Sequence, residues 1–163
     1  MKVIFLDIDG VLNSAATPNP RRFPYIVDDR LLARFNRLVR STGATVVLSS
    51  TWRVDPVGRL AADLYKVAFD DVCPDMPGAP RCDEMQSWLQ QHPEVMRYAV
   101  LDDDADCLDE LPLFQPSSKT GLTDEIASGI EEFLAGRRDK DMRASAITRL
   151  GKNIHALFGR EKS

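Results

Sequence analysis

Histidine is almost missing from this chain, with two in 163 residues. His92 and His155 stand apart from every motif described below, so a histidine-built metal centre or a phosphohistidine relay lacks its side chains. Cysteine is nearly as scarce. Cys73, Cys82 and Cys107 are scattered, odd in number and without paired metal spacing, so reduced thiols are the plain reading. Long apolar runs are lacking too, and none approaches the roughly 20 residues that a membrane-spanning helix requires. The apolar stretch near the N-terminus stops at Asp7, too early for the core of an export signal. Internal repeats and low-complexity segments are also missing. These absences set the expectation of a reduced, cytoplasmic protein with no membrane partner.

What is present is ordinary in amount and uneven in placement. Hydrophobic residues make up 44% and charged residues 28%, the proportions of a domain able to bury a core. The net charge of −4 is divided unequally. Residues 1–135 carry 13 Lys/Arg against 22 Asp/Glu, whereas residues 136–163 carry 8 against 3. The acidic body argues against a broad nucleic-acid-binding face, while the basic end keeps a phosphate-rich partner open.

Apolar runs alternate with helical patterns, which predicts parallel βαβ units. A strand is expected over residues 2–7, then a loop in which Pro18, Pro20 and Pro24 bracket Arg21, Arg22 and Phe23. Asp28 or Asp29 can cap a helix that Gly43 ends, and Ala44–Leu48 forms the second strand. A short helix over Pro56–Leu64, a weak strand near Val67 and a helix over Asp83–Gln91 follow. Tyr98–Leu101 and Leu113–Gln115 are the last strands, and Thr123 can cap a helix reaching Leu134. The expected fold class is α/β, a three-layer Rossmann-like parallel sheet flanked by helices. Residues 1–135 form the main domain. Gly136 breaks it from an extension over 136–163, where Ile147, Leu150, Ile154, Leu157 and Phe158 recur at helical spacing among basic residues.

Loops at the carboxyl ends of parallel strands gather on one edge, where ligands bind. Three polar clusters follow expected strands in that way: Asp7/Asp9, Ser49/Ser50/Thr51, and Asp102/Asp103/Asp104 with Asp106. Each has a plain alternative. An Asp-x-Asp-Gly is often a turn or a calcium loop, although the EF-hand continuation is missing here. A Ser-Ser-Thr after a strand is usually a helix cap, and an Asp run is usually solvated surface. Their joint occurrence after separate strands is what points to a site. Two carboxylates at the end of a buried strand are costly without a cation to face them. Gly10 lets the backbone turn sharply just past the second.

Asp7-Ile8-Asp9-Gly10-Val11-Leu12 resembles the first motif of the haloacid dehalogenase (HAD)-like superfamily, Leu48-Ser49 the second, and Leu101-Asp102-Asp103 the fourth. The wording Leu48-Ser49-Ser50-Thr51-Trp52-Arg53, Arg81 with Trp88-Leu89, and Leu101–Asp104 followed by Gly121-Leu122-Thr123 is similar to the small HAD-like domain of Swiss Army Knife RNA repair proteins. The resemblance implies a phosphohydrolase working through an aspartyl-phosphate. Asp7 would be the nucleophile, and Asp9 the acid and base. Magnesium would be held by Asp7, the Asp9 backbone carbonyl and Asp102, with Asp103 or Asp106 in support. Ser49, or Ser50 if the strand ends one residue later, would bind the phosphoryl oxygens. The family also needs a basic residue, usually lysine. Arg81, which opens the helix before the fourth motif, is favoured over Lys119, which follows that motif.

Neither interval between motifs is long enough for a cap domain, so an open site is expected. An open site suits a phosphate on something bulky, and nucleic-acid phosphate ends are the favoured substrate class by analogy. Arg21 and Arg22 in the loop after the first motif, and Trp52 and Arg53 beside Ser50, are the residues expected to shape the substrate. Two other readings stand beside the phosphatase: a non-catalytic phosphate- or partner-binding module, and a phosphotransferase. Retention of both Asp7 and Asp9 disfavours the first of these.

Overall fold

Strand β1 (Lys2–Leu6) lies at the centre of a five-stranded parallel sheet ordered β3-β2-β1-β4-β5. The computed structural model describes residues 1–137. The helical extension expected over 136–163 therefore falls outside the described residues from 138 onward.

The chain leaves β1 through a long loop to helix α1 (Asp29–Thr42) and returns as β2 (Thr45–Leu48). A single 3₁₀ turn, Thr51–Arg53, precedes α2 (Pro56–Leu64) and the short edge strand β3 (Asp71–Val72). Helix α3 (Arg81–Gln91) then carries the chain across to the other side of β1 as β4 (Arg97–Leu101). Strand β5 (Leu113–Phe114) and helix α4 (Asp124–Leu134) complete the order. Because β2 and β4 flank β1 on opposite sides, the order in which the chain adds parallel strands reverses at β1, and a crevice is formed beyond its carboxyl end.

The pleat sorts the core into two layers. Ile4 and Leu6 point to the face covered by Phe35 and Leu38 of α1, Ala62 of α2, and Ile130 and Leu134 of α4. Val3 and Phe5 point to the other face, against Met85 and Trp88 of α3. Strands buried on both sides read as unbroken apolar runs, as Val3–Leu6 and Val46–Leu48 do. Each such Ile, Leu or Phe contributes about 1.5–3 kcal/mol by leaving water. Phe5 also meets Trp88 edge-on, with ring centroids 5.6 Å apart.

Local chemistry fixes the helix ends. Asp28, rather than Asp29, caps α1 by accepting from the Arg30 N–H at 2.9 Å, and Gly43 closes it at φ +60°. Asp55 and Pro56 start α2, and Thr123 accepts from the Ile126 N–H to start α4. The strand expected near Val67 forms four residues later instead. Val67 is buried as a loop residue bonded back to Ala62 O, and the ladder to β2 begins only where Asp71 faces Val47. Helix α3 starts two residues earlier than expected, which makes Arg81 its first residue.

Candidate active site

The three central strands deliver their next residues to one point. The Asp7 N–H bonds to Leu101 O at 2.9 Å, and the Ser49 N–H bonds to Leu6 O at 2.9 Å. Asp7 follows β1, Ser49 follows β2, and Asp102 follows β4, so strand pairing sets the three side by side. All three are buried, with Ser49 and Asp102 fully enclosed and Asp7 only 4% exposed.

Three carboxylates meet here. Oxygens of Asp7, Asp102 and Asp103 all lie within 4.8 Å of one another. Burial pushes the Asp7 carboxyl up to about 7, the Asp102 charge adds to the rise, and Arg81 and the Ser50 hydroxyl oppose it. Burial also raises the Asp102 carboxyl, with Arg81 opposing. Asp103 is raised by burial and then by its neighbour Asp102. Arg81 answers part of this charge: its Nη1 lies 3.5 Å from Asp7 Oδ1 and donates to Asp102 Oδ2. One guanidinium against three carboxylates leaves an excess of negative charge in a buried place. An all-oxygen donor set of that kind fits a hard divalent cation such as magnesium.

Gly10 is what lets Asp103 approach. Its φ is +71°, and a Cβ there would sit 2.1 Å from Asp103 Oδ2. The turn is tied by Asn13, whose Oδ1 accepts from the Gly10 N–H at 3.0 Å. Asn13 Nδ2 in turn donates to Asp9 Oδ1 at 2.8 Å and to Ile26 O at 2.9 Å. The other Asp9 oxygen accepts from Trp52 Nε1 at 2.8 Å. Asp9 is exposed to solvent, yet its carboxylate is clamped from both sides and stands apart from the clustered three. Asn13 as a holder of Asp9 was missed in the sequence. It ends the first motif and its spacing of four from Asp9 was the available signal.

Ser49 carries the one buried side-chain polar atom among the described residues with no hydrogen-bond partner. An orphaned hydroxyl inside a protein is costly, and a bound oxyanion would satisfy it. Ser50 is spoken for differently, accepting from the Trp52 N–H at 3.5 Å and acting on Asp7.

Two expectations about substrate-shaping residues are corrected. Arg53 is buried and its guanidinium is consumed by the protein: Nε donates to Cys73 O at 3.1 Å, Nη1 to Ser49 O at 2.6 Å, and Nη2 to Pro74 O at 3.3 Å and to Glu84. It holds the end of β2 to the segment after β3 and has no donor left for a substrate. Trp52 is 1% exposed, packed edge-on against Tyr25 and bonded to Asp9, so it positions Asp9 and cannot stack on a base. The buried Arg53–Glu84 pair was not foreseen, because nothing local in the sequence links the two positions.

Arg21 and Arg22 stand exposed in the loop after β1, within a turn that Asn19 closes by bonding both the N–H and the carbonyl of Phe23. Asp106 is exposed, and its N–H caps Asp104 rather than joining the cluster. Lys119 is exposed and its ammonium makes no bond among the described residues. Of the two competing cations, Arg81 is the one the fold brings to the carboxylates.

Among the described residues no helix is long and apolar enough to cross a membrane. A family model described as the HAD domain in Swiss Army Knife RNA repair proteins matches residues 3–127. No curated protein and no solved structure matches the chain.

Proposed function

The chain belongs to the HAD domain family of Swiss Army Knife RNA repair proteins, and from that premise we propose that it is a magnesium-dependent phosphomonoesterase acting through an aspartyl-phosphate. The observation that carries the reading is the meeting of Asp7, Asp102, Asp103 and Arg81 beside an independently held Asp9. Two aspartates two positions apart in sequence occupy different surroundings, and that difference divides their work.

Asp7 sits at the bottom of the crevice and attacks the phosphorus, forming a phosphoaspartate while the bond to the leaving oxygen breaks. Asp9, fixed by Trp52 and Asn13 at the exposed side, gives its proton to the leaving oxygen and then takes one from the water that hydrolyses the phosphoaspartate. The Ser49 hydroxyl and Arg81 bind the equatorial oxygens. Magnesium would be held by Asp7, Asp102 and Asp103 together with the Asp9 backbone carbonyl, and when bound it offsets the charge of the phosphoryl group. Asp104 supports Asp102, whose Oδ1 accepts its N–H at 3.0 Å.

Nucleic-acid phosphate ends remain the favoured substrates. The family's description points there, and no cap domain stands between the described core elements. The test is phosphate release from 3′- and 5′-phosphorylated oligonucleotides beside mononucleotides. Release from oligonucleotide ends in preference supports the reading, and release from mononucleotides alone discards the nucleic-acid part of it.

A further inference from the structure

Cys82 and Cys107 are 25 residues apart in sequence and in contact in the fold. The Cys82 N–H donates to Cys107 Sγ at 3.1 Å, which sets the Cys107 sulfur against the backbone of Cys82. Each belongs to a different wall of the active site. Cys82 directly follows Arg81 in the first turn of α3, and Cys107 ends the acidic turn after β4 that contains Asp103, Asp104 and Asp106. Cys107 also lines, with Arg81, Thr51 and Asp106, a cavity of about 350 Å³ next to the carboxylate cluster. Nothing in the phosphoryl chemistry uses either sulfur.

We propose that Cys82 and Cys107 are a redox-modifiable pair that closes to a disulfide across the rim of the active site. The contact already made between a thiol and the other cysteine's backbone means that closure needs little chain movement. The oxidant is a small disulfide of the glutathione class. Cys107, the exposed member, attacks it as thiolate, forming a mixed disulfide and releasing one glutathione thiol. Cys82 then attacks the Cys107 sulfur and releases the second. Two protein thiols are oxidised, one external disulfide is reduced to two thiols, and the protein's two protons leave with them. Burial, with the adjoining Cys107 thiol, pushes the Cys82 thiol up to about 11, which suits the order of attack with Cys82 second.

A covalent bond is shorter than a thiol–thiol contact, so closure draws the turn bearing Asp103 towards the end of α3 bearing Arg81. Small displacements of aligned groups are costly to catalysis, and at least a roughly tenfold loss of turnover is expected. Only this rate effect rests on the proposed phosphatase.

The full chain incubated with glutathione disulfide should lose about 2 Da and two of its three thiols, as read by intact mass and thiol titration, and regain them with dithiothreitol. Cys73→Ser should behave in the same way, because Cys73 is buried elsewhere. Cys82→Ser should stop at a mixed disulfide on Cys107, and Cys107→Ser should keep its thiols, both with ordinary phosphate release before oxidation. Wild-type protein that retains all its thiols, or that accumulates a lasting mixed disulfide, overturns the pair. A closed form with undiminished phosphate release overturns its coupling to Arg81. The thiol count needs no catalysis, so its failure is distinct from failure of the phosphatase reading.

Discussion

Asp7→Asn should make the metal-free protein more stable while removing its activity. The wild-type side chain is 4% exposed, and its carboxyl is raised from 3.8 to about 7 by burial and by Asp102. A carboxyl whose folded pKa lies above its unfolded value favours folding below the unfolded pKa. That contribution is lost as the pH rises through the folded value. Three units at 1.36 kcal/mol each put the cost of ionising Asp7 in the fold at about 4 kcal/mol by pH 7. Asparagine keeps the shape and drops the charge, and Arg81 retains Asp102 as a partner. Allowing for the new amide in a site built for a carboxylate, about 2–3 kcal/mol should be recovered, equivalent to a Tm rise of roughly 5–10 °C. The assay is thermal unfolding in EDTA from pH 5 to pH 8, wild type beside variant. The advantage of the variant should narrow towards pH 5, grow to pH 7 and level off above it. A variant less stable than wild type at pH 7, or an advantage independent of pH, would refute the reasoning.

Three further outcomes follow from the same contacts. Arg81→Ala should raise KM for phosphomonoesters by about tenfold or more, through loss of a charged hydrogen bond, while Lys119→Ala changes it little. Steady-state kinetics on the two variants decides the order. Arg53→Met strands the Glu84 carboxylate in the interior and should cost about 3–5 kcal/mol in urea unfolding, with Arg53→Met/Glu84→Met recovering most of it. Trp52→Phe removes the N–H that holds Asp9 Oδ2 and should lower kcat by about ten- to a hundredfold. KM should hardly change, and a loss confined to KM would show that Trp52 acts on substrate instead.

The fold was legible where burial on both faces writes a continuous apolar strand, as at Val3–Leu6 and Val46–Leu48, and where a cap residue precedes a helix, as at Asp28, Asp55 and Thr123. Strand β3 was misplaced because two edge residues, Asp71 and Val72, carry almost no pattern, and the buried Val67 nearby carries a stronger one. In the candidate site, Asp7, Ser49 and Asp102 come together because each directly follows a strand, and parallel pairing sets such residues side by side. Arg81 joins them from the first position of α3. Trp52 and Arg53 differ from expectation because residue type beside a candidate phosphate-binding serine suggests contact with substrate. Their roles depend instead on distant partners, Asp9 and Glu84, which no local spacing reveals.

Phosphate release with magnesium from a panel of 3′- and 5′-phosphorylated oligonucleotides, mononucleotides and p-nitrophenyl phosphate, wild type beside Asp7→Asn, tests the central claim most directly. The expected result is release by the wild type from at least one class and none by the variant. Equal release by both would remove Asp7 as nucleophile. Silence of the folded wild type across the whole panel would contradict the phosphatase and leave a binding module.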